Sequence, residues 1–145
     1  MARENNTITL MGSMPTKEAN AAVEVFPGYA VTLNNAGGLV LQSNVLEPRI
    51  AVVVEDDMKG KTIAGSYAVD ERTSYKIPRR GDEMNLKVAA AAPAISLEDP
   101  LALAGDGTVV KHGGDVSVET VIGFAREAVD NSGGSSEVFI AVEFA

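Results

Sequence analysis

The chain contains no cysteine, no tryptophan and a single histidine. Without cysteine there can be no disulfide, no thiolate metal site and no cysteine nucleophile, and the redox compartment is left open. His112 cannot build a multi-histidine metal site alone; beside Gly113 and Gly114 it reads as a solvated turn residue. Aromatic residues make up only 5%, so core volume has to come from Val, Ile, Leu and Ala. No stretch approaches the roughly 20 apolar residues of a membrane span. The opening MARENNTITLMG is too polar for a signal peptide. Basic residues are scarce where acidic ones gather: residues 98–145 carry 2 basic and 9 acidic side chains, residues 1–97 carry 10 and 11, and the whole chain is −8. An acidic surface is a poor general binder of nucleic acid, because phosphate contacts need Lys and Arg. The acidic third is expected to face solvent and aid solubility. Neither a membrane, a nucleic acid nor a cofactor is therefore expected as a partner.

What is present points to β-structure. At 145 residues, 46% of them hydrophobic, one domain with a substantial core is expected. In Glu137–Ala145 the residues Val138, Ile140, Val142 and Phe144 alternate with Glu137, Phe139, Ala141 and Glu143. That two-residue period predicts a strand with one face on a core. Turn-rich breaks precede it at Glu98-Asp99-Pro100, Gly105-Asp106-Gly107 and Asn131–Gly134. Between them lie the short apolar runs Leu101–Ala104, Thr108–Lys111 and Val121–Val129, a spacing that predicts a compact all-β meander onto which the rest packs.

Further upstream, Pro27-Gly28 opens a hairpin of Tyr29–Leu33 and Leu39–Gln42 around Asn34–Gly38, where Asn and Gly tolerate positive φ. Arg49–Glu55 contains a continuous β-branched run, the pattern of a strand buried on both faces. Ile63–Val69, Thr73–Ile77 and Met84–Ala90 are further predicted strands, with a turn at Pro78–Asp82. Ser117–Val129 fits either a strand or a helix capped by Ser117; Gly123 and its β-branched residues favour strand. Residues 1–22 read as an N-terminal arm and 23–145 as the β-rich domain. Thr7, Ile8, Thr9, Leu10 and Met11 favour strand without a neighbouring hairpin partner. They are either a frayed terminus or a strand that pairs with another subunit or protein. Lys17–Val23 offers one helical turn at most.

No catalytic constellation emerges. Glu55-Asp56-Asp57 lacks the spacing that curls a loop around calcium and reads as a solvated face. Arg80-Gly81-Asp82, a tripeptide familiar from adhesion ligands, has an ordinary turn explanation, and the sequon Asn5-Asn6-Thr7 matters only on secretion. Gly105–Thr108 is no phosphate loop, and no serine sits in a G-x-S-x-G elbow. Lys61–Arg72, KTIAGSYAVDER, loosely resembles the G-x-I-D-x-D-Y-x-G-E strand motif of dUTP pyrophosphatases, β-rich trimers of about this length. However, Ala64 stands where their catalytic aspartate would follow Ile63, and the Gly-rich phosphate-binding tail is missing. Without that carboxylate, hydrolysis has no base. A generic β-barrel module binding a carbohydrate or a protein is a further alternative.

The succession FPGYAVTLNNAGGLVLQ, RIAVVVEDDMKGKTI, YAVDERTSYKIPRRGDEMNLKVA, EDPLALAGDGTVVK, VIGFAREAVDNS and EVFIAVEF resembles tailed-phage head decoration proteins, also called capsid-stabilising or cement proteins. That resemblance implies a mainly β, small β-barrel-like fold of the β-tulip type, with an extended N-terminal arm and little helix. It also implies a virion protein made in the host cytoplasm, binding major capsid protein on the outer surface of an icosahedral head. Many of its members are homotrimers. The shared features are strands and turns rather than catalytic motifs, so the resemblance implies no enzyme activity.

Overall fold

The computed structural model describes residues 7–47 and 49–145, and in them the chain is mainly β. Among these residues there is no α-helix, only a single 3-10 turn at Asp57–Lys59 closed by Gly60 at φ +71°. Two sheets account for the strands. The first contains β1 (Thr9–Met11), β7 (Glu83–Val88), β8 (Pro100–Leu103), β9 (Val109–Lys111), β10 (Gly123–Ala125) and β11 (Val138–Phe144). Its order is β1-β7-β11-β10-β8-β9, and β9 returns to pair in parallel with β7 at Val88 and Val109. Five strands thus close into a small barrel, and β1 adds to the free half of β7. Closure removes most of the open edge that an antiparallel sheet would otherwise expose.

The second sheet is antiparallel, in the order β2-β6-β5-β3-β4. Its members are β2 (Thr16–Asn20), β3 (Ala30–Leu33), β4 (Leu39–Leu41), β5 (Ala51–Val53) and β6 (Arg72–Lys76). Ala21 bridges Leu39 in parallel, and Ala22 N–H donates to Leu39 O at 2.8 Å, drawing the two edges of this sheet together.

The β5 segment shows how sequence sets this arrangement. Ile50, Val52 and Val54 turn into the main core beside Leu86, Leu101, Ile140 and Val142. Ala51 and Val53 turn into a second cluster with Val31, Leu39, Tyr67 and Tyr75. A strand sandwiched between two cores needs apolar residues on both faces, hence the run without alternation. In β11, Ile140, Val142 and Phe144 point into the barrel as the two-residue period requires. This strand pairs with β7 through six residue pairs and with β10 through three.

Several expectations are corrected. The C-terminal third is not a simple meander, because β10 pairs with β8 and β9 turns away to pair with β7. Lys17–Val23 forms no helical turn; Thr16–Asn20 pairs residue for residue with Arg72–Lys76. Ile63–Val69 is not a strand. It is a run of turns from which fully buried Tyr67 reaches back to bridge Val25 and donate its hydroxyl to Val54 O at 2.8 Å. Ser117–Val129 resolves in favour of strand, but only over Gly123–Ala125. Gly123 is needed there because a Cβ would sit 2.5 Å from Glu143 O on the adjacent strand.

The N-terminal segment also departs from expectation. Residues 7–20 are extended, yet they have partners within the chain: β1 on β7 in the first sheet and β2 on β6 in the second. The lack of a nearby hairpin partner was a poor guide, since the partner strand is distant in sequence: Asn85, which binds Thr7 O, lies 78 positions after it.

Candidate functional site

The five candidate contact residues Thr7–Met11 divide into an anchor and an exposed end. Ile8 is fully buried in the main core. Its N–H donates to Glu55 Oε2 at 3.0 Å, and the Thr7 hydroxyl donates to Glu55 Oε1 at 2.6 Å. Asn85 secures the same stretch by donating its backbone N–H to Ile8 O at 2.8 Å and its Nδ2 to Thr7 O at 2.9 Å. Lys76 Nζ donates to Thr9 Oγ1 at 3.0 Å. Glu55 and Asp56 are therefore not simply a solvated charged face: Glu55 latches the arm, and Asp56 accepts from the Ser74 hydroxyl at 3.2 Å.

Leu10 and Met11 remain open, at 37% and 61% exposure. Met11 stands opposite Glu83, Glu83 opposite Glu143, and Glu143 opposite Phe124. Residues paired in this way share a face of the sheet. The outer face of the first sheet thus carries a row with exposed apolar residues at its ends and two carboxylates between them. Arg126 pairs with the first of these acids and with a third carboxylate, its Nε 3.2 Å from Glu83 Oε1 and its Nη1 on Glu98. The turn Arg79–Asp82 is tied to the end of β11 by Gly81 N–H to Phe144 O and Phe144 N–H to Asp82 O, both 2.9 Å. It sets Arg80 beside a shallow hollow shared with Phe124, Glu143 and Phe144. Gly12, at φ +117°, closes over Asp82: a Cβ there would lie 2.3 Å from Asp82 Oδ1. Met11 and Phe124 thus flank Glu83 and Glu143 on this face, with Arg80 beside Phe124, while Leu10 is exposed at the next position of β1. Sequence reasoning named Leu10 and Met11 but missed Phe124 and Arg126. The signal for Phe124 was its place opposite the core-facing neighbours Gly123 and Ala125 in an alternating segment.

Other motifs serve the fold. His112 is buried rather than solvated. Gly114 N–H donates to its Nδ1 at 2.8 Å, and its Nε2 lies 3.1 Å from Glu119 O, so the ring organises the turn from residue 112 to 119. Carboxylates of the acidic third also organise turns. Asp106 accepts from Thr108 N–H, Asp115 from Ser117 N–H, and Asp130 from Ser132 N–H, each at about the ordinary distance for such bonds. The Ser117 and Ser132 hydroxyls hold Asp115 and Asp130 below the usual carboxylate range. Asp99 is held down by Ser96 N–H and by Lys111, 3.1 Å away. Arg80-Gly81-Asp82 is an ordinary turn, with Gly81 at φ +90° and Asp82 Oδ2 accepting from Arg79 N–H at 2.7 Å. Ala64 lies in an exposed turn closed by Gly65 N–H to Thr62 O at 3.0 Å, so the segment similar to the dUTP pyrophosphatase strand motif is not a strand here. Among the described residues, no three His, Cys, Asp or Glu side chains are grouped to hold a metal ion, and no helix is long and apolar enough to cross a membrane.

Tyr29 joins the two sheets through its side chain, and Lys87 through its N–H, which donates to Gly28 O at 3.1 Å. The Tyr29 hydroxyl donates to Glu137 Oε2 at 2.5 Å; burial, and then that carboxylate, push its pKa well up. Lys87 Nζ sits 4.1 Å from the Phe139 ring centroid, and burial lowers its pKa.

No protein-family model matches the chain, and no curated protein matches it. Among solved structures, the chain is similar to the N base of head fiber gp8.5 in bacteriophage phi29, with a TM-score of 0.57 and 16% identity. The similarity covers 92% of this chain and 95% of that one. At this identity the likeness is one of fold.

Proposed function

We propose that this chain is a structural protein of a tailed-phage head, a decoration protein that binds the outer surface of the shell and clamps neighbouring major capsid subunits. The observation that carries the reading is a two-sheet fold shared along nearly its whole length with the base of a phage head fiber. The succession of strands and turns similar to head decoration proteins supports it from the sequence side.

The contact surface in this reading is the patch around Leu10, Met11, Phe124 and Arg80. Thr7, Ile8 and Thr9 hold it in place, so the arm presents its end instead of inserting as a free strand. Exposed apolar residues with a cation beside them suit a protein surface, where a central apolar anchor and a polar rim supply affinity. One such contact is modest, but repetition over a lattice turns modest contacts into large avidity. Bridging two shell subunits raises the work needed to separate them, which resists genome pressure. A homotrimer matches the three-fold positions of such a lattice. The chain does this as a binding protein, without catalysis and without a cofactor.

The test is co-sedimentation of purified protein with heads that lack it, with light scattering on the free protein. Saturable binding to heads is expected, with a free mass of three times the 15.1 kDa chain. Absence of binding removes the reading; a monomeric mass removes only the trimer.

A further inference from the structure

A clamp needs two contact faces, and the Met11–Phe124 patch supplies one. We propose that the second is a groove at the open mouth of the second sheet, which takes an apolar side chain adjoining a carboxylate on an extended segment of the shell protein. This assignment rests on the head-binding reading above.

The groove encloses about 310 Å³, floored by Val31, Leu39 and Ala51 with Tyr75 and rimmed by Lys17 and Arg49. Its walls follow from register. Lys17 stands opposite Tyr75 across β2 and β6, and Val31 stands opposite Ala51 across β3 and β5, so each pair shares a face. Tyr75 is only 6% exposed, and its hydroxyl has no hydrogen-bond partner among the described residues. No fully buried polar side-chain atom among those residues is left without a partner, so this oxygen keeps some exposure, and Tyr75 lines the groove. An almost buried phenol facing an apolar hollow is a donor waiting for an acceptor.

The rim supplies the matching charge. Lys59, Lys61, Arg72, Lys111 and Arg126 are each engaged in ion pairs. Lys17 and Arg49, like Arg79 and Arg80 at the other patch, are exposed and have no ion pair among the described residues, in a chain of net charge −8. Glu47, also on the rim, is turned to the backbone: its Oε1 accepts from Arg49 N–H at 2.9 Å. Leu33, 49% exposed, extends the apolar lip. Two unpaired cations and a free phenol above an apolar floor are complementary to a carboxylate beside a hydrophobic side chain. The volume lies at the small end for ligand sites, and the groove is open along one side. Small-molecule sites bury most of their ligand, whereas a half-open groove suits a side chain presented by a larger body.

The experiment measures head binding by co-sedimentation for wild type, Tyr75→Phe, the double variant Lys17→Glu/Arg49→Glu, and Lys59→Glu as a charge control. Melting temperature is recorded for each. Tyr75→Phe removes only an unpartnered hydroxyl, and the double variant changes exposed side chains, so both keep the wild-type melting temperature. Affinity is expected to fall tenfold or more in the double variant and severalfold in Tyr75→Phe, with Lys59→Glu unchanged. If wild type binds and the groove variants bind equally well, the groove is not the second face while head binding stands. Lys59→Glu shifts net charge by −2 against −4 in the double variant, so a loss in it of half the double variant's logarithmic change or more also overturns the assignment, since net charge would explain the effect. If wild type itself does not bind heads, the head-binding reading falls and this assignment with it.

Discussion

Replacing Ile8 with alanine tests whether the N-terminal segment belongs to the core. The side chain is fully buried among Met84, Leu86 and the rest of the main cluster. Truncation removes three carbons, a transfer loss of about 2.4 kcal/mol at about 0.8 kcal/mol per methylene. A cavity term adds to this, and buried Ile→Ala changes cost about 2–5 kcal/mol in total. For a chain of this length each kcal/mol lowers the melting temperature by about 2–4 °C, so a loss of about 3 kcal/mol lowers it by roughly 6–12 °C. Met11→Ala, at a residue 61% exposed in the same segment, should cost less than about 0.5 kcal/mol. Melting followed by circular dichroism, with urea unfolding as a second measure, separates the two variants. A melting temperature within about 2 °C of wild type for Ile8→Ala would refute the placement of this segment in the core.

Other expectations follow from single contacts. Glu55→Gln weakens the latch on Thr7 and Ile8 by about 1–3 kcal/mol; amide exchange at Ile8 and Asn85 should accelerate, and unchanged exchange there would count against the latch. Gly123→Ala forces a Cβ to within 2.5 Å of Glu143 O and should cost more than about 1 kcal/mol of overpacking, read as a lower urea midpoint at unchanged m-value. Burial, and then Asp56, push the Tyr67 pKa up to about 12 from 10.0. A raised phenol pKa favours the neutral form in the fold, so its contribution is complete below pH 10 and lost as pH rises through about 12. Tyr67→Phe should flatten that alkaline limb of the stability curve; a limb identical to wild type would assign it to other groups.

Sequence patterns were most legible where the core alone decides them. Val138, Ile140, Val142 and Phe144 alternate because β11 lies with one face in the barrel, and the unbroken run at Ala51–Val53 marks a strand between two cores. Turns were legible because Asn34, Asp106 and Gly81 carry their own local chemistry. Thr16–Asn20 was not, since TKEAN is mostly exposed and is a strand only because β6 lies beside it. Ile63–Val69 misled in the opposite direction: its apolar content serves two separate anchors, Ile63 against the main core and Tyr67 in the second cluster, within a series of turns. The buried His112 looked like a surface residue because flanking glycines say nothing about Glu119 folding back onto it. The candidate patch was half visible, as Leu10 and Met11 could be named while Phe124 and Arg126 reach them only through strand pairing.

The distance in sequence between β1 and β7 also governs when this domain can fold. Ile8 and Thr9–Met11 are synthesised before the second sheet, yet their partners Met84 and Asn85 arrive only after all of its strands. Folds dominated by such distant pairings form slowly, on the scale of milliseconds to seconds. Until β7 exists, a short apolar strand waits with unpaired backbone, a state open to association with other nascent chains. The second sheet can complete most of its pairing earlier, since β6 ends at Lys76. The pairing of β1 therefore cannot precede the synthesis of β7, whereas every strand of the second sheet is already available by then.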